Sequence, residues 1–402
     1  MIESRDGRQV VITGLGVVAP CGTGAADFWA GLSRPAEPDT NRRVPAFDPT
    51  RWGIGHVDAR RMDRFAQLGL AAGVQALADA GVSADEPPYD PERCGVVLGT
   101  GIGGAYAWES QTINLMEKGP ARVSPLVVPM VMPNAASAAL SMRLGWAGTV
   151  ETVTTACAAG THAVGNGARL IAAGRCDAVL VGGSEACQTG VMTNGFANMK
   201  ALSPTGISRP FDVARDGFCS AEAAGVLLLE EASAAAAWGA TVYAEVAGFG
   251  STADAHHLTA PAPDGRGAIA CMRVALADAG LEPGEVTHVN AHGTSTPLND
   301  AAEAAAVRAV FGPTRPAVTS IKGITGHSLG AAGALEAIAL ALSYRHRELP
   351  PTMGVTELDA DLDLDVVLEP RAWEPAPAIS NSFAFGGHNG SVVFLPARAV
   401  PR

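Results

Sequence analysis

Hydrophobic residues along this chain recur in short β-branched runs, and the stretches between them are rich in alanine. The runs lie at 10–19, 94–99, 150–155, 177–183, 225–230, 242–249, 286–290, 317–320, 365–368 and 391–394. Each run has the length of a buried strand, and most of the stretches between show the three- to four-residue apolar spacing of helices. Strands that alternate with helices in this way indicate parallel βαβ units, so we predict an α/β fold.

The alternation of strands and helices occurs twice. The first series ends near residue 240 and the second begins with the run at 242–249. We therefore predict two related halves, 1–240 and 241–402. Because no flexible linker separates them, we expect the halves to pack into one body.

Composition narrows the class of protein. The chain has 402 residues, 48% of them hydrophobic, and a formal net charge of −12. A strongly acidic chain of this size argues against a general nucleic-acid or membrane-surface binder. Seven cysteines without a CxxC pair suit a reducing compartment, and no apolar run is long enough to span a bilayer. The sequence therefore predicts a cytoplasmic protein.

One cysteine stands at the turn between a strand and a helix. The run at 150–155 leads into Cys157, and the alanine-rich helix that follows ends near Gly174. The first turn of a helix has free N–H groups and the positive end of the helix dipole. This placement predicts a lowered pKa for the Cys157 thiol and donors for an oxyanion, although a cysteine among alanines is more often a small buried hydrophobe.

Three further reactive side chains follow strands in the second half. His292 comes directly after the run at 286–290, and Lys322 and His327 follow the run at 317–320. Ligands bind in the crevice beyond the carboxyl ends of parallel strands. We therefore predict that these side chains and Cys157 meet in one site.

Four segments together resemble the β-ketoacyl-acyl carrier protein synthases, most closely the elongating synthase II type and its polyketide relatives. They are Thr155–Cys157, Asn290–Thr296, Lys322 with Gly326–His327, and Asn381–Gly387. The resemblance runs in order along essentially the whole chain. It implies the thiolase fold, in which duplicated βαβ-rich halves form a five-layered αβαβα arrangement, usually as a dimer.

The resemblance also implies roles for individual residues. Cys157 would be the nucleophile that accepts an acyl chain, and His292 and His327 would stabilise the enolate formed from malonyl-acyl carrier protein. Lys322 would act electrostatically, with Glu336 as its partner.

The backbone N–H groups of Cys157 and Phe385 would form the oxyanion hole, and Phe385 would gate the acyl cavity. Ala384 stands where the family carries glycine, which implies a stiffer gate.

Further residues match the family's substrate-binding and docking positions. The acyl pocket would be lined by Ile102, Phe196, Leu329 and Val127, the last in place of a common aromatic ring; each would otherwise be ordinary core. Thr294 and Thr296 would hold the pantetheine arm or cap a helix. An acidic carrier protein would dock on Arg60, Arg61, Arg64 and Lys200, which are otherwise a solvated surface.

The resemblance implies a decarboxylating Claisen condensation in fatty acid or polyketide elongation. It implies no metal or nucleotide cofactor, because the acyl and malonyl thioesters are carried on the phosphopantetheine of acyl carrier protein. The first alternative is a type II polyketide or polyene ketosynthase subunit paired with a chain-length-factor-like partner rather than a homodimer. A noncatalytic chain-length factor would lack Cys157, and a thiolase would carry a second cysteine near Gly386.

Overall fold

The structure is a computed structural model that describes residues 7–83 and 88–397. Its strands are β1 (Val10–Ala19), β2 (Gly22–Thr23), β3 (Asn41–Arg42), β4 (Cys94–Gly99), β5 (Val150–Val153), β6 (Ala178–Glu185), β7 (Ser220–Ala221), β8 (Ala223–Glu231), β9 (Ala244–Ala253), β10 (His288–Asn290), β11 (Ala317–Thr319), β12 (Glu348–Leu349), β13 (Asp365–Val366), β14 (Arg371–Ala372), β15 (Ala378–Phe383) and β16 (His388–Pro396).

The α-helices alternate with these strands. They are α1 (Ala25–Gly31), α2 (His56–Ala59), α3 (Arg64–Ala80), α4 (Ala105–Lys118), α5 (Val127–Val131), α6 (Ala135–Leu144), α7 (Ala159–Ala172), α8 (Gly190–Asn198), α9 (Ala232–Trp238), α10 (Arg266–Ala279), α11 (Pro297–Phe311), α12 (Lys322–Thr325) and α13 (Ala332–His346). The alternation of β and α elements confirms the predicted α/β class.

The main sheet repeats one strand order in its two parts. The first part runs β5-β4-β6-β8-β1 and the second β11-β10-β15-β16-β9, so the same sequential ranks occupy the same places. In each part the two strands that flank the second one lie parallel to it. A short antiparallel pairing of β1 with β9 joins the parts. The duplication is thus visible in the topology, while the exact boundary at residue 240 stays a prediction.

Two buried helices fill the space between the two parts of the sheet. Helix α7 packs on β4 and β6 and also on β16, and α13 packs on β8, β15 and α7. Helix α3 covers β1 and β8 from outside, and α10 covers β9 and β16 in the same way. The layers therefore follow the predicted αβαβα order. The arrangement brings the start of α7 and the loop before α13 to one place.

The structure contains elements that the hydrophobic pattern did not predict. Helix α4 is one, because its large apolar residues Trp108 and Met116 are exposed and leave no clear buried stripe. Strand β15 is another, because it buries the polar residues Asn381 and Ser382. Their side chains are paired, Asn381 with Ser391 at 2.7 Å and Ser382 with Thr161 at 2.7 Å. Buried polar groups that are hydrogen-bonded interrupt the apolar pattern without opposing the strand.

Two predicted loops also contain helices. Helix α8 occupies the start of the predicted loop at 194–218, and α5 lies in the predicted extended segment at 123–129. Within residues 7–83 and 88–397, no helix is both long and apolar enough to cross a lipid bilayer.

Candidate active site

A cavity of about 340 Å³ opens where the two halves meet. Its lining includes the predicted residues Cys157, His292, His327 and Phe385. The first half contributes the thiol and the second half contributes both imidazoles. The structure thus brings together side chains that are far apart in the sequence.

Cys157 lies in a single 3-10 turn, Ala156–Ala158, between β5 and α7. Ala156 adopts a left-handed φ of 50°, a conformation that non-glycine residues rarely take. This sharp turn points Cys157 into a buried cluster. The sulfur is packed there with the side chains of Ile102, Ala105, Cys187, Met192, Phe196, Leu329 and Ala384.

The thiol pKa of Cys157 differs from the prediction. Burial raises the pKa of Cys157 to about 12, while the charge of Lys322 and the backbone N–H groups of Phe385 and Cys157 act in the opposite direction. The prediction of a lowered pKa was therefore wrong for this closed cavity. The physical reason is that desolvation of a thiolate outweighs the attraction from the nearby charge and dipoles.

The two histidines face each other as neutral rings. Their centroids lie 5.3 Å apart with an interplanar angle of 82°. Burial, supported by the charge of Lys322, holds the pKa of both His292 and His327 well below 6.5. At neutral pH each ring therefore carries one N–H donor and one lone pair.

Separate backbone contacts place the two rings. The backbone N–H groups of His292 and Gly293 donate to the two oxygens of Glu303, each at 2.8 Å. The backbone N–H of His327 donates to the carbonyl of Cys219 at 2.7 Å. The His327 ring also packs edge-on against Phe218 at 5.2 Å.

Lys322 is a buried ammonium with three neighbouring acceptors. Its Nζ forms an ion pair with Glu336, donates to the carbonyl oxygen of His292 at 2.6 Å, and lies 3.3 Å from Nδ1 of the same histidine. Because an ammonium can only donate, Nδ1 of His292 is the acceptor and the ring proton belongs on Nε2.

The predicted substrate-binding residues fall into two groups. Phe196, Leu329, Thr294 and Thr296 line the cavity, and Ile102 packs in the cluster around Cys157. Thr296 also caps α11, since its hydroxyl accepts from the backbone N–H of Asn299 at 3.4 Å. Both interpretations of Thr296 are therefore compatible with its position.

Val127 does not lie where the prediction placed it. The lining that the described residues form around the cavity does not include Val127, which is half-buried at the start of α5. Helix α5 packs on α4 and α6. Alignment of a motif by sequence alone cannot show on which side of a short helix a residue lies.

The predicted docking residues are also not equivalent. Lys200 is exposed and lines the cavity, whereas Arg61 is exposed beside a separate groove, and Arg60 is exposed next to it. Arg64 forms a two-pronged ion pair with the buried carboxylate of Glu222, at 2.6 Å for each bond. This pairing corrects the prediction for Arg64, because a guanidinium bound to a carboxylate inside the fold is not a free surface charge.

Sequence reasoning missed two carboxylates beside the reactive groups. Glu185 accepts from the backbone N–H groups of Gly101 at 2.6 Å and Gly330 at 3.1 Å, and Glu303 holds the loop of His292. Both are fully buried, and burial raises the pKa of each to about 7. A single acidic residue inside an otherwise apolar stretch was the available signal for Glu303.

A buried thiol, two neutral imidazoles and paired backbone donors on a duplicated αβαβα fold define a class of thiolase-fold enzymes that transfer acyl groups. Residues 33–235 match the family model "Beta-ketoacyl synthase, N-terminal domain", and residues 243–356 match "Beta-ketoacyl synthase, C-terminal domain". A 3-oxoacyl-[acyl-carrier-protein] synthase 2 from Synechocystis sp. is 41% identical over 409 residues, covering 96% of this chain and 98% of that protein.

Solved structures agree with this match. The ishigamide ketosynthase/chain length factor superposes with a TM-score of 0.91 at 36% identity, over 97% of this chain and all of that one. A type II PKS ketosynthase bound to its acyl-carrier protein superposes with a TM-score of 0.87 at 30% identity, with the same coverage.

The chain therefore belongs to the β-ketoacyl synthase family. It is an acyl-transferring condensing enzyme of fatty acid or polyketide elongation, and the predicted thiolase fold is confirmed.

Proposed function

We propose that Cys157 takes an acyl chain from a carrier-protein thioester and that His292 and His327 support its condensation with malonyl-acyl carrier protein. The observation that carries this proposal is the meeting of one thiol and two neutral imidazoles in one cavity. The first step is transthiolation. The Cys157 sulfur bonds to the thioester carbonyl, the tetrahedral oxyanion accepts from the N–H groups of Cys157 and Phe385, and the carrier thiol leaves with the proton.

The second step is decarboxylation of the malonyl thioester. The bond between the carboxylate and the α-carbon breaks, CO2 leaves, and the electron pair becomes an enolate on the thioester. Negative charge then grows on the thioester oxygen, where the Nε2–H of His292 and the ring of His327 act as donors. Neutral donors serve this step because their hydrogen bonds strengthen only as the charge develops. Lys322 supports it by holding Nδ1 of His292 as an acceptor.

The third step forms the product. The α-carbon of the enolate attacks the acyl carbonyl on Cys157, a carbon–carbon bond forms, and the carbon–sulfur bond breaks. The Cys157 thiolate is released and takes up a proton, which its raised pKa favours. The product is a β-ketoacyl chain that is two carbons longer and remains on the carrier protein. None of these steps requires a metal or a nucleotide.

Phe385 is proposed to gate the cavity. The ring lines it and is half-buried, and the next two residues, Gly386 and Gly387, have φ values of 79° and 73°. Only glycine adopts that region without strain, so the loop can turn there. Ala384 has an extended backbone, φ −126° and ψ 159°, which alanine adopts freely. Alanine in place of glycine is therefore no obstacle to this closed position.

The partners follow from the surface. Acyl carrier protein would approach the cavity beside Lys200, with Arg60 and Arg61 as further positive charges on an acidic protein. Its phosphopantetheine arm would pass Thr294 and Thr296. This assignment also keeps the protein in the cytoplasm, where that carrier works.

A second subunit of the same fold is proposed to cover helices α4 to α6 and strand β5. Trp108, Met116, Val128 and Met142 on these helices are between 62% and 80% exposed. Among the described strands, β5 ends the sheet. Exposed apolar surface beside an open strand edge is typical of a subunit interface.

A second candidate function keeps the chemistry and changes the partner. The chain would be the ketosynthase subunit of a type II polyketide pathway and would pair with a chain-length factor. The similarity to the ishigamide ketosynthase/chain length factor favours this candidate over a generic condensing enzyme.

Mass spectrometry of the intact protein tests the proposal. After incubation with acyl-carrier proteins that bear chains of different length and unsaturation, we expect one acyl adduct, and the best chains identify the pathway. Cys157→Ala should abolish the adduct, while Cys271→Ala, which removes a buried thiol on α10, should keep it. An adduct on Cys157→Ala would disprove the assigned nucleophile.

The histidine roles need a separate assay. We expect His292→Ala and His327→Ala to form the acyl adduct but to release no CO2 from malonyl-acyl carrier protein. Condensation retained in either variant would remove that histidine from the mechanism.

A further inference from the structure

A buried arginine from the first half reaches the short helix that carries Lys322. Arg42 is 6% exposed and lies on β3, more than 200 residues before that helix in the sequence. Its Nη1 donates to the backbone carbonyls of Gly323 at 2.9 Å and Ile324 at 2.6 Å, both in α12. This contact crosses from one half of the fold to the other.

Arg42 and His327 flank the same strand. β3 pairs in parallel with β7, with Arg42 opposite Ala221. On the other side of β7, Ser220 forms a parallel bridge with His327, and the N–H of Ala221 donates to the His327 carbonyl at 3.0 Å. The guanidinium therefore reaches α12 at the point where the chain turns toward His327.

The acceptors of Arg42 explain why a charge is tolerated there. Among the residues that the structure describes, no carboxylate forms an ion pair with Arg42, so its charge is met by carbonyl oxygens. Helix α12 is a single turn, and its last carbonyls have no partner within the helix. A cation at the C-terminal end of a helix is favourable, and a buried cation requires such partners.

The contact is also close. A Cβ atom placed on Gly326, which has a φ of 68°, would lie 3.2 Å from Cδ of Arg42. Gly326 is the only residue between α12 and His327. The arginine stem is thus packed directly against the link between the helix and the histidine.

The position of α12 matters because it connects two groups of the site. Lys322 begins the helix and holds His292, and His327 follows its end. In the described part of the chain, Nδ1 of the His327 ring is buried without a hydrogen-bond partner. The backbone and the packing of Phe218, rather than a hydrogen bond to Nδ1, therefore orient this ring.

We propose that Arg42 is a positioning residue that holds α12 so that Lys322 and His327 are aligned for decarboxylation. The inference rests on the proposed function. It predicts a selective effect, because Cys157 is placed by β5, α7 and the Phe385 loop and not by α12. Loss of Arg42 should therefore slow CO2 release more than acylation.

The experiment compares two rates in three variants. The rate of acyl adduct formation on Cys157 is measured by intact mass, and CO2 release is measured with labelled malonyl-acyl carrier protein. For Arg42→Met we expect acylation within about twofold of the wild type and CO2 release about 10- to 100-fold slower, the cost of a small misplacement of catalytic groups. Arg42→Lys should lie between the two, because an ammonium can donate to the same carbonyls. Arg273→Met, an exposed arginine on α10, is the matched control and should leave both rates unchanged.

Equal losses of both rates in Arg42→Met, or no loss of either, would overturn the inference. If Arg42→Met does not fold, Arg42→Lys decides: CO2 release lowered relative to acylation supports the inference, and an unchanged ratio overturns it. His327→Ala is run in parallel. Normal CO2 release in His327→Ala would show that the proposed function itself has failed, whereas its loss together with a normal ratio in the Arg42 variants rejects only the role of Arg42.

Discussion

The thiol of Cys157 is subject to opposing electrostatic influences. Lys322 and two backbone N–H groups favour the thiolate, while burial and the nearby Glu185 carboxyl favour the neutral thiol. In the closed cavity burial dominates. A neutral thiol is a poor nucleophile toward adventitious electrophiles and becomes reactive only when a bound substrate changes its surroundings.

Alkylation of the free enzyme tests this balance. Because the pKa of Cys157 is raised to about 12, the rate of iodoacetamide inactivation should rise about tenfold per pH unit from pH 7 to 10 without levelling. N-acetylcysteine, measured alongside, should level near its own pKa. A plateau for the enzyme below pH 8 would contradict the raised pKa.

The neutral histidines predict a different pH profile for decarboxylation. An ordinary imidazole is half protonated near pH 6.5. Since the pKa values of His292 and His327 lie well below 6.5, CO2 release should stay level from pH 8 to 6. In the unfolded chain both rings bind protons below pH 6.5, so the stability that they contribute is present above that pH and falls as the pH drops. A rate that halves near pH 6.5 in protein still folded by circular dichroism would refute this.

The Lys322–Glu336 pair predicts non-additive stability. Burial raises the pKa of Glu336 to about 7, and Lys322 opposes that shift. Lys322→Met removes one charge of a fully buried pair and should lower the free energy of unfolding by about 3 kcal/mol. Lys322→Met combined with Glu336→Leu should regain most of that loss but not the activity. Additive losses in urea denaturation would indicate that the pair does not act as a unit.

At the scale of elements, the site depends on the close approach of α7 and α13. A Cβ atom on Gly333 would lie 2.0 Å from Oγ1 of Thr161 and 2.8 Å from its backbone nitrogen. One on Gly160 would lie 2.9 Å from the carbonyl oxygen of Gly330. The helix that follows the thiol and the helix that follows His327 can approach this closely only because these residues have no side chain.

Gly333→Ala tests the approach of the two helices. The added methyl must push α13 away from α7, and we expect the free energy of unfolding to fall by about 1–3 kcal/mol. Gly284→Ala is the matched control, since its Cβ would meet only Cγ2 of Thr314, at 3.7 Å. A denaturation midpoint for Gly333→Ala equal to that of the wild type would show that the helices have room to adjust.

At the scale of the whole molecule, the uncovered face of α4 to α6 predicts association. A chain that exposes Met142 at 77% and Met116 at 80% on one side gains free energy by burying them against a second subunit. We expect light scattering to report twice the chain mass for the wild type. Met142→Glu should shift it toward the monomer, while Val274→Glu, on the exposed side of α10, should not. A monomeric wild type would contradict a homodimer and favour a nonidentical partner.

Much of the fold and site could be predicted from the sequence. The strand before Cys157, the helix after it, and the histidines at the ends of strands in the second half are all local patterns. Local pattern is sufficient because the strand period and the helix period differ, and because parallel strands place their carboxyl ends at one edge. Cys157, His292, Lys322 and His327 were therefore identified from the chain alone.

Only the tertiary structure decided the environment of these groups. The direction of the Cys157 pKa shift depends on how completely water is excluded, which no local motif encodes. The pairing of Arg64 with Glu222 and the reach of Arg42 to α12 join residues more than 150 positions apart. Desolvation and long-range contacts arise only when distant segments pack together, so the sequence determined which groups are present and the packing determined their charge, partners and orientation.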